Sequence, residues 1–353
     1  VSTRTQPGAV SYFTTDDAFL STPGGPAAFV GASVFRLNDG VVAYVAPVGE
    51  ATVAPTEVVA HLPGTLFGGF SDSHVHLGLI DPAGLAPGGV ARVVDLGWMP
   101  DLKTDYGIDV AFAGAFLTAP GGYPSRQSWA PEGACLEIRT ADESARALAR
   151  LAAAGASVIK LTLNSVAGPV FDDALLEAII RQAHALGVPV VAHAEGEGQA
   201  WRAAQAGVDY FAHTPFTERL TDDQLASIAT TAAFISTLDI HGYGTPTPGF
   251  EIALDNLARF AALGGRVVYG TDLGNGPLPV GLNERELGAL AAAGLGQQAL
   301  VSALTARIGN PGGSSGHRLS YIEGPVNHDP SATASWLSGA TVLNIAHIEE
   351  IFA

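Results

Sequence analysis

Two histidines one residue apart, His74 and His76, close the stretch Gly68-Gly69-Phe70-Ser71-Asp72-Ser73-His74-Val75-His76. On a β-strand, residues i and i+2 point to the same side, so the two imidazoles project together and could begin a metal site. Alone, the pair fits two hydrogen-bonded polar histidines equally well. Four later positions change that reading. Lys160 interrupts the apolar run Ser157-Val158-Ile159-Lys160-Leu161-Thr162-Leu163-Asn164. Of the 17 basic residues 15 are Arg, so a primary amine here replaces the guanidinium this chain uses elsewhere. A buried ammonium must find a carboxylate or lose its charge. Lys160 is therefore either ion-paired or a neutral amine that has reacted with CO2 to give a carbamate. His193, His213 and Asp272 each end an apolar run. Singly, each reads as a packed polar residue. Together the six read as ligands for divalent ions.

Such residues must be carried to one place by the elements around them. From residue 66 the chain alternates strand, loop and helix. Expected strands cover 66–77, 91–96, 110–117, 157–163, 189–193, 210–213, 234–238 and 266–271, and five of the six candidates fall at strand ends. Expected helices cover 141–154, 171–186, 198–206, 222–230, 249–263 and 283–307, with Gly155 and Gly187 as stops. Eight strands alternating with helices predict an α/β chain folded as a (β/α)8 TIM barrel, with its site at the C-terminal strand ends. Residues 1–65 read as short strands and turns, with Asn38-Asp39-Gly40 as a hairpin signal. The tail, including Thr341-Val342-Leu343-Asn344-Ile345, could rejoin them. The expected division is a small β-sandwich domain of 1–65 plus 318–353 and a barrel of 66–317.

Composition narrows the partners. A formal charge of −17 argues against nucleic acid and anionic membrane surfaces. No apolar run is long enough to span a bilayer. The single cysteine, Cys135, permits no intrachain disulfide and reads as a packed residue, so a cytoplasmic location is expected. The opening Val1-Ser2-Thr3-Arg4 starts no signal-peptide pattern, which leaves open whether a segment was removed.

With these residues in place, the sequence resembles the amidohydrolase superfamily, over almost the whole chain. Phe67-Gly68-Gly69-Phe70-Ser71-Asp72-Ser73-His74-Val75-His76 is similar to its strand-one motif. Gly155-Ala156-Ser157-Val158-Ile159-Lys160 is similar to its strand-four lysine, and His193, His213 and Thr271-Asp272 to strands five, six and eight. The nearest pattern is the imidazolonepropionase-like and metal-dependent dipeptidase branch. The resemblance implies two divalent metal ions, with zinc the expected ion. His74, His76 and Asp272 would hold one and His193 and His213 the other, bridged by N6-carboxylysine at Lys160 and a hydroxide. It also implies hydrolysis of a C–N amide bond in a small N-acyl compound, a dipeptide-like molecule or a cyclic amide, with the hydroxide as nucleophile and Asp272 as proton shuttle. Esterase or lactonase activity at the same metals is the alternative. Deaminases of the family carry a Glu three residues after the strand-five His, where this chain has Gly196. A binding protein that keeps the fold is a further alternative, disfavoured by the complete ligand set.

Loops after the strands should set specificity. Trp98 and Met99, Tyr123 and Arg126, Asn164, and His241 and Tyr243 are the candidates for substrate contact. An Arg or His among them could hold a substrate carboxylate. His61, His184, His317, His328 and His347 read as structural or exposed. The expected partner is a small molecule, and a homo-oligomer is left open.

Overall fold

The computed structural model describes residues 11–21, 25–38, 41–54, 57–98, 104–309, 318–344 and 348. The turn residues Asp39 and Gly40, Met99, His317, His347 and the expected break at 310–316 lie outside them.

The chain opens with β1 (Ser11–Ser21), β2 (Ala27–Phe29), β3 (Ser33–Asn38), β4 (Val41–Pro47) and β5 (Val58–Gly68). The expected hairpin is present: β3 and β4 are antiparallel, with Asn38 opposite Val41. Next come three parallel strands, β6 (Ser71–Val75), β7 (Arg92–Asp95) and β8 (Asp109–Phe112). A second parallel sheet holds β9 (Phe116–Thr118), β10 (Cys135–Glu137), β11 (Ile159–Asn164), β12 (Val190–Glu195), β13 (Tyr210–Phe211), β14 (Ala233–Ile235) and β15 (Arg266–Val268), in the order β10-β9-β11-β12-β13-β14-β15. Finally β16 (Arg318–Glu323) and β17 (Thr341–Asn344) return to the first sheet, where β16 pairs with β5. Strands from both ends of the chain thus share one sheet.

Hydrogen bonds tie the two parallel sheets together at both ends. Ser73 N donates to Tyr269 O (3.0 Å), and His76 N to Leu273 O (2.8 Å). On the other side Ser157 N donates to Phe112 O (2.9 Å).

The helices alternate with the strands: α1 (Ala141–Ala153), α2 (Asp173–Ala185), α3 (Gln199–Ala206), α4 (Asp222–Ala229), α5 (Pro248–Ala262), α6 (Glu284–Ala292), α7 (Gln297–Thr305) and α8 (Thr333–Ser338). Their starts are written in the sequence. Thr140, Asp172, Thr221, Thr247 and Asn283 each accept a backbone N–H of the first turn through the side chain. The alternation of β11 then decides where its residues go. Ile159, Leu161 and Leu163 pack outward with Leu148 and Leu151 of α1 and Ile179 and Ile180 of α2. Lys160, Thr162 and Asn164 therefore face the opposite side, where Val158, Val191, Ile235 and Val268 form a separate inner cluster.

Three expectations need correction. The single strand at 66–77 is two strands in different sheets. The chain crosses at Gly69, where a Cβ would lie 2.7 Å from Arg318 O and 2.9 Å from the Ala91 Cβ. The strand at 110–117 is split into β8 and β9 around Gly114, whose φ is +75°. The last helix, 283–307, is two helices, because Gly294 adopts φ +97° and Gly296 caps α7. Cys135 is half-buried in β10, and burial raises its thiol to about 11, consistent with a packing role.

Helix α5 is anchored on the strands by Phe260, which stacks on Phe234 at 3.9 Å between centroids, both fully buried. Phe260→Ala is expected to lower the unfolding free energy by about 3–5 kcal/mol in denaturant titration.

Candidate metal centre

All six predicted ligands line one cavity of about 480 Å³ at the C-terminal ends of the parallel strands. A larger cavity, about 1030 Å³, lies between the terminal sheet and the beginnings of those strands, and its described lining residues include no histidine or carboxylate.

His74 of β6 and His76, one residue past its end, do converge. Their rings are 5.3 Å apart between centroids, and both Nε2 atoms approach Asp272 Oδ1, at 3.2 Å from His74 and 3.1 Å from His76. His74 Nδ1 lies 2.8 Å from the Ala212 carbonyl, which can only accept, so Nδ1 carries the proton. Burial, and the ammonium of Lys160, hold His74 well below its ordinary pKa and keep it neutral. Its Nε2 is then an unprotonated lone pair that meets the Lys160 amine at 3.2 Å and faces a carboxylate oxygen. Among the described residues, Asp272 Oδ1 and His76 Nδ1 are buried without a hydrogen-bond partner. Burial by itself would raise the Asp272 carboxyl, but His74, His76 and His213 outweigh it and hold it well below the usual range.

The other ligand candidates close the ring. The His213 centroid lies 4.8 Å from that of His74 and 4.9 Å from that of His193. His213 Nδ1 pairs with the Thr237 hydroxyl at 2.9 Å, and burial lowers its pKa. Ligand atoms of His74, His213 and Asp272 fall within 4.8 Å of one another. Lys160 Nζ is 3.2 Å from His74 Nε2, and burial drives the amine down to about 7 against the pull of Asp272 and Asp95. The set fits a divalent cation: neutral imidazole lone pairs and an orphaned carboxylate oxygen turned toward each other, buried, with a reactive amine beside them.

Two buried carboxyls absent from the predicted site hold this geometry. Asp72 accepts from the backbone N–H of His74 and of Thr271, each at 3.1 Å, and from the Thr271 hydroxyl at 2.5 Å. It thereby pins the strand bearing His74 to the turn bearing Asp272, which sits at φ +60°. Asp95 accepts from Leu77 N and Gly97 N, both at 2.9 Å, just past His76. Burial raises Asp72 to about 7 and Asp95 to about 6. The sequence signal for Asp72 was an acid inside an otherwise buried strand.

Of the residues expected to contact substrate, Tyr123, His241 and Tyr243 line the cavity. Trp98 instead stands behind His76, its ring 6.3 Å away and nearly parallel. Arg126 is exposed and does not line the cavity. Asn164 is used structurally. Its Oδ1 accepts from Val166 N and Ala167 N, and its Nδ2 donates to Glu195 at 2.6 Å. Glu195 in turn meets His193 Nε2 at 3.0 Å, so it acts on the site although its phase differs from the deaminase pattern. Phe116, Trp129 and Phe216 also line it, and nothing in their spacing announced it. His61 and His184 bond to Asp16 and Asp209 outside the cavity, and His328 is exposed.

His241 is held from behind. Its turn is fixed by Asp239, which accepts from Asn283 at 2.8 Å and Arg285 at 3.0 Å, while Asp239 N donates to Glu286 at 2.7 Å. The ring stacks on Phe216 at 4.1 Å, and burial lowers it to about 4.

No family model matches the chain, and neither does any curated protein. Solved structures do. A Xaa-Pro dipeptidase with bound methionine aligns at 15% identity over 96% of this chain and 98% of that one, with a TM-score of 0.73. A. niger ochratoxinase aligns at 15% identity over 95% of each chain, also with a TM-score of 0.73. Phenylurea hydrolase B gives 14%, 95% and 96%, and 0.67. The chain is thus similar in fold, over nearly its whole length, to hydrolases among which amidohydrolases recur. No helix among the described residues is long and apolar enough to cross a membrane.

Two measurements check this geometry. Zinc at about a thousandfold above its Kd should stabilise metal-free protein by about 4 kcal/mol, seen as a higher Tm. Asp272→Ala should lose most of that shift; an undiminished shift would place the ion elsewhere. Glu286 tests the support of His241. It is fully buried, and burial raises it to about 7. Between pH 4.5 and 7 the folded state therefore holds a proton that the unfolded state has released, so stability falls as pH rises through that window and levels off above it. Glu286→Gln should remove about 1–3 kcal/mol of this fall, measured by urea titrations at pH 5 and 7.5.

Proposed function

We propose that this chain is a member of the amidohydrolase superfamily that hydrolyses a C–N amide bond at a two-metal centre. The observation that carries the reading is the His74 lone pair set 3.2 Å from the unpartnered Asp272 Oδ1, with Lys160, His76, His193 and His213 around the same cavity. The expected (β/α)8 barrel of 66–317 is supported by the hydrogen bonds that join the two parallel sheets at either end. A separate small β-domain of 1–65 and 318–353 is supported by the sheet that takes strands from both termini.

His74, His76 and Asp272 would hold one ion, His193 and His213 the second, and Lys160 both. Zinc suits this imidazole and carboxylate set. Bound there, the ions supply Lewis acidity, which polarises the scissile carbonyl and acidifies water. Lys160 would reach its bridging form when the free amine attacks CO2: the N–C bond forms, one proton is released from the nitrogen, and a carboxylate replaces a neutral amine. Burial favours this, because it holds the amine near pKa 7.

Asp272 is held ionised and is ready to accept a proton at Oδ1 from the attacking water. Asn275 Nδ2, 3.1 Å from Oδ2, keeps the carboxylate oriented. The same oxygen can then deliver the proton to the leaving nitrogen, which departs poorly as an anion. The relatives in fold, a dipeptidase and a phenylurea hydrolase by description, support C–N cleavage over esters or lactones.

Lys160→Arg tests the reading, because a guanidinium cannot carry the carbamate. The variant should lose at least about two orders of magnitude in amide turnover, and metal per chain should fall below two by elemental analysis. Normal turnover in that variant would remove Lys160 from the centre. A panel of amides, esters and lactones, run on zinc-loaded protein with bicarbonate, decides the bond class.

A further inference from the structure

The cavity is unequal in its walls. On the side of His76 and His193 it is aromatic, and the rings touch the proposed ligands directly. Tyr123 stacks on His193 at 5.3 Å and 29°, and Phe116 lies 6.0 Å from His76. Trp129 is the hub, with centroids 6.4 Å from Trp98, 6.3 Å from Phe116 and 6.2 Å from Tyr123. Its indole is nonetheless 38% exposed, and Tyr243 and Leu79, which also line the cavity, are exposed to a similar degree. Bulky apolar groups left open around a pocket mark where an apolar ligand is covered.

The loop bearing Tyr123 and Trp129 is a fixed wall. Gly121 N donates to the Glu137 carboxylate at 2.9 Å, and the Tyr123 carbonyl accepts from the Thr162 hydroxyl at 2.5 Å. At Gly122 a Cβ would lie 2.5 Å from both Pro169 O and Thr118 Oγ1, so the loop is pressed against its neighbours. Charge points the same way. Among the described residues, Lys160 is the only lysine or arginine lining the cavity, and it belongs to the ligand set. Glu195 faces the same space, 25% exposed. Arg126, the loop arginine that could have held a substrate carboxylate, does not line it. On the aromatic side, a free carboxylate would meet Glu195 and ring faces with no arginine or lysine beyond Lys160 to pair with it, and His241, on the other side, is lowered to about 4 by burial.

Resting on the amide-hydrolase reading, we infer that the substrate is an amide bearing an uncharged aromatic group on its scissile nitrogen, stacked on Trp129 and Tyr123, and that Trp129 is a specificity-determining residue. Offset or edge-on ring pairs supply the recognition, and the half-open indole accommodates the part of the group that projects from the cavity.

The test uses acetanilide and N-acetylglycine, which share an acyl group and differ in the ring or carboxylate on the nitrogen. Binding is measured by calorimetry on the metal-free full chain, and kcat/KM on zinc-loaded protein. Acetanilide should bind at least about tenfold more tightly and be hydrolysed with at least a tenfold higher kcat/KM. Trp129→Ala should shrink both ratios to within threefold, mainly through KM, and Trp129→Phe should restore them. Equal or reversed preference in the wild type, or ratios untouched by Trp129→Ala, would overturn the inference. If metal-free protein shows the preference while loaded protein cleaves neither compound nor any other amide, the hydrolase reading fails and the aromatic site stands. If both are cleaved without preference, the hydrolase reading stands and the aromatic site fails.

Discussion

Lone pairs facing lone pairs are the constraint on which this structure depends. His74 Nε2 and Asp272 Oδ1 approach to 3.2 Å with no proton between them, in a place almost sealed from water. A buried acceptor without a partner costs about 1–3 kcal/mol. Of the ligand set, the scaffold nonetheless buries Asp272 Oδ1 and His76 Nδ1 in that state. The proposed metals would be an electrostatic complement to the carboxylate oxygen and the imidazole nitrogens that face it.

The geometry is held by the backbone. Asp72 and Asp95 clamp the chain immediately before and after the two histidines, each through two backbone N–H groups. Through Thr271, Asp72 also fixes the turn in which Asp272 adopts a left-handed conformation. The Ala212 carbonyl chooses the tautomer of His74, and the pleat of β11 turns Lys160 inward. Carboxyls raised by burial do this holding, while Asp272, held low, faces the cavity.

Around the ligands the walls differ in kind. One is polar and braced, with Glu195 held by Asn164 and the His241 turn held by Asp239 and Glu286. The other is aromatic and is built from Phe116 of β9 and from Tyr123 and Trp129 of the loop that follows it. On the proposed reading, orientation of the reacting groups and recognition of the substrate would be carried by different parts of the chain, so the loop could vary while the centre is kept.

That six side chains from distant segments would meet at one cavity, the strand–helix alternation and most of the helix starts were legible in the sequence. Each rests on a local rule: the period of two that pairs His74 with His76 and aims Lys160, the capping side chains, and the ends of apolar runs. The same rules misjudged where the chain changes sheets at Gly69 and where the last helix breaks, because close approach to Arg318 and Ala91 cannot be read from neighbours in sequence. Nor did the sequence reveal the roles of Asp72, Glu195 or Trp129, or that Asn164 braces Glu195 while Arg126 lies outside the cavity. Those depend on which loop comes to lie against which strand end. Alternation and capping act between adjacent residues, whereas the walls of the cavity are set by contacts between segments that only folding brings together.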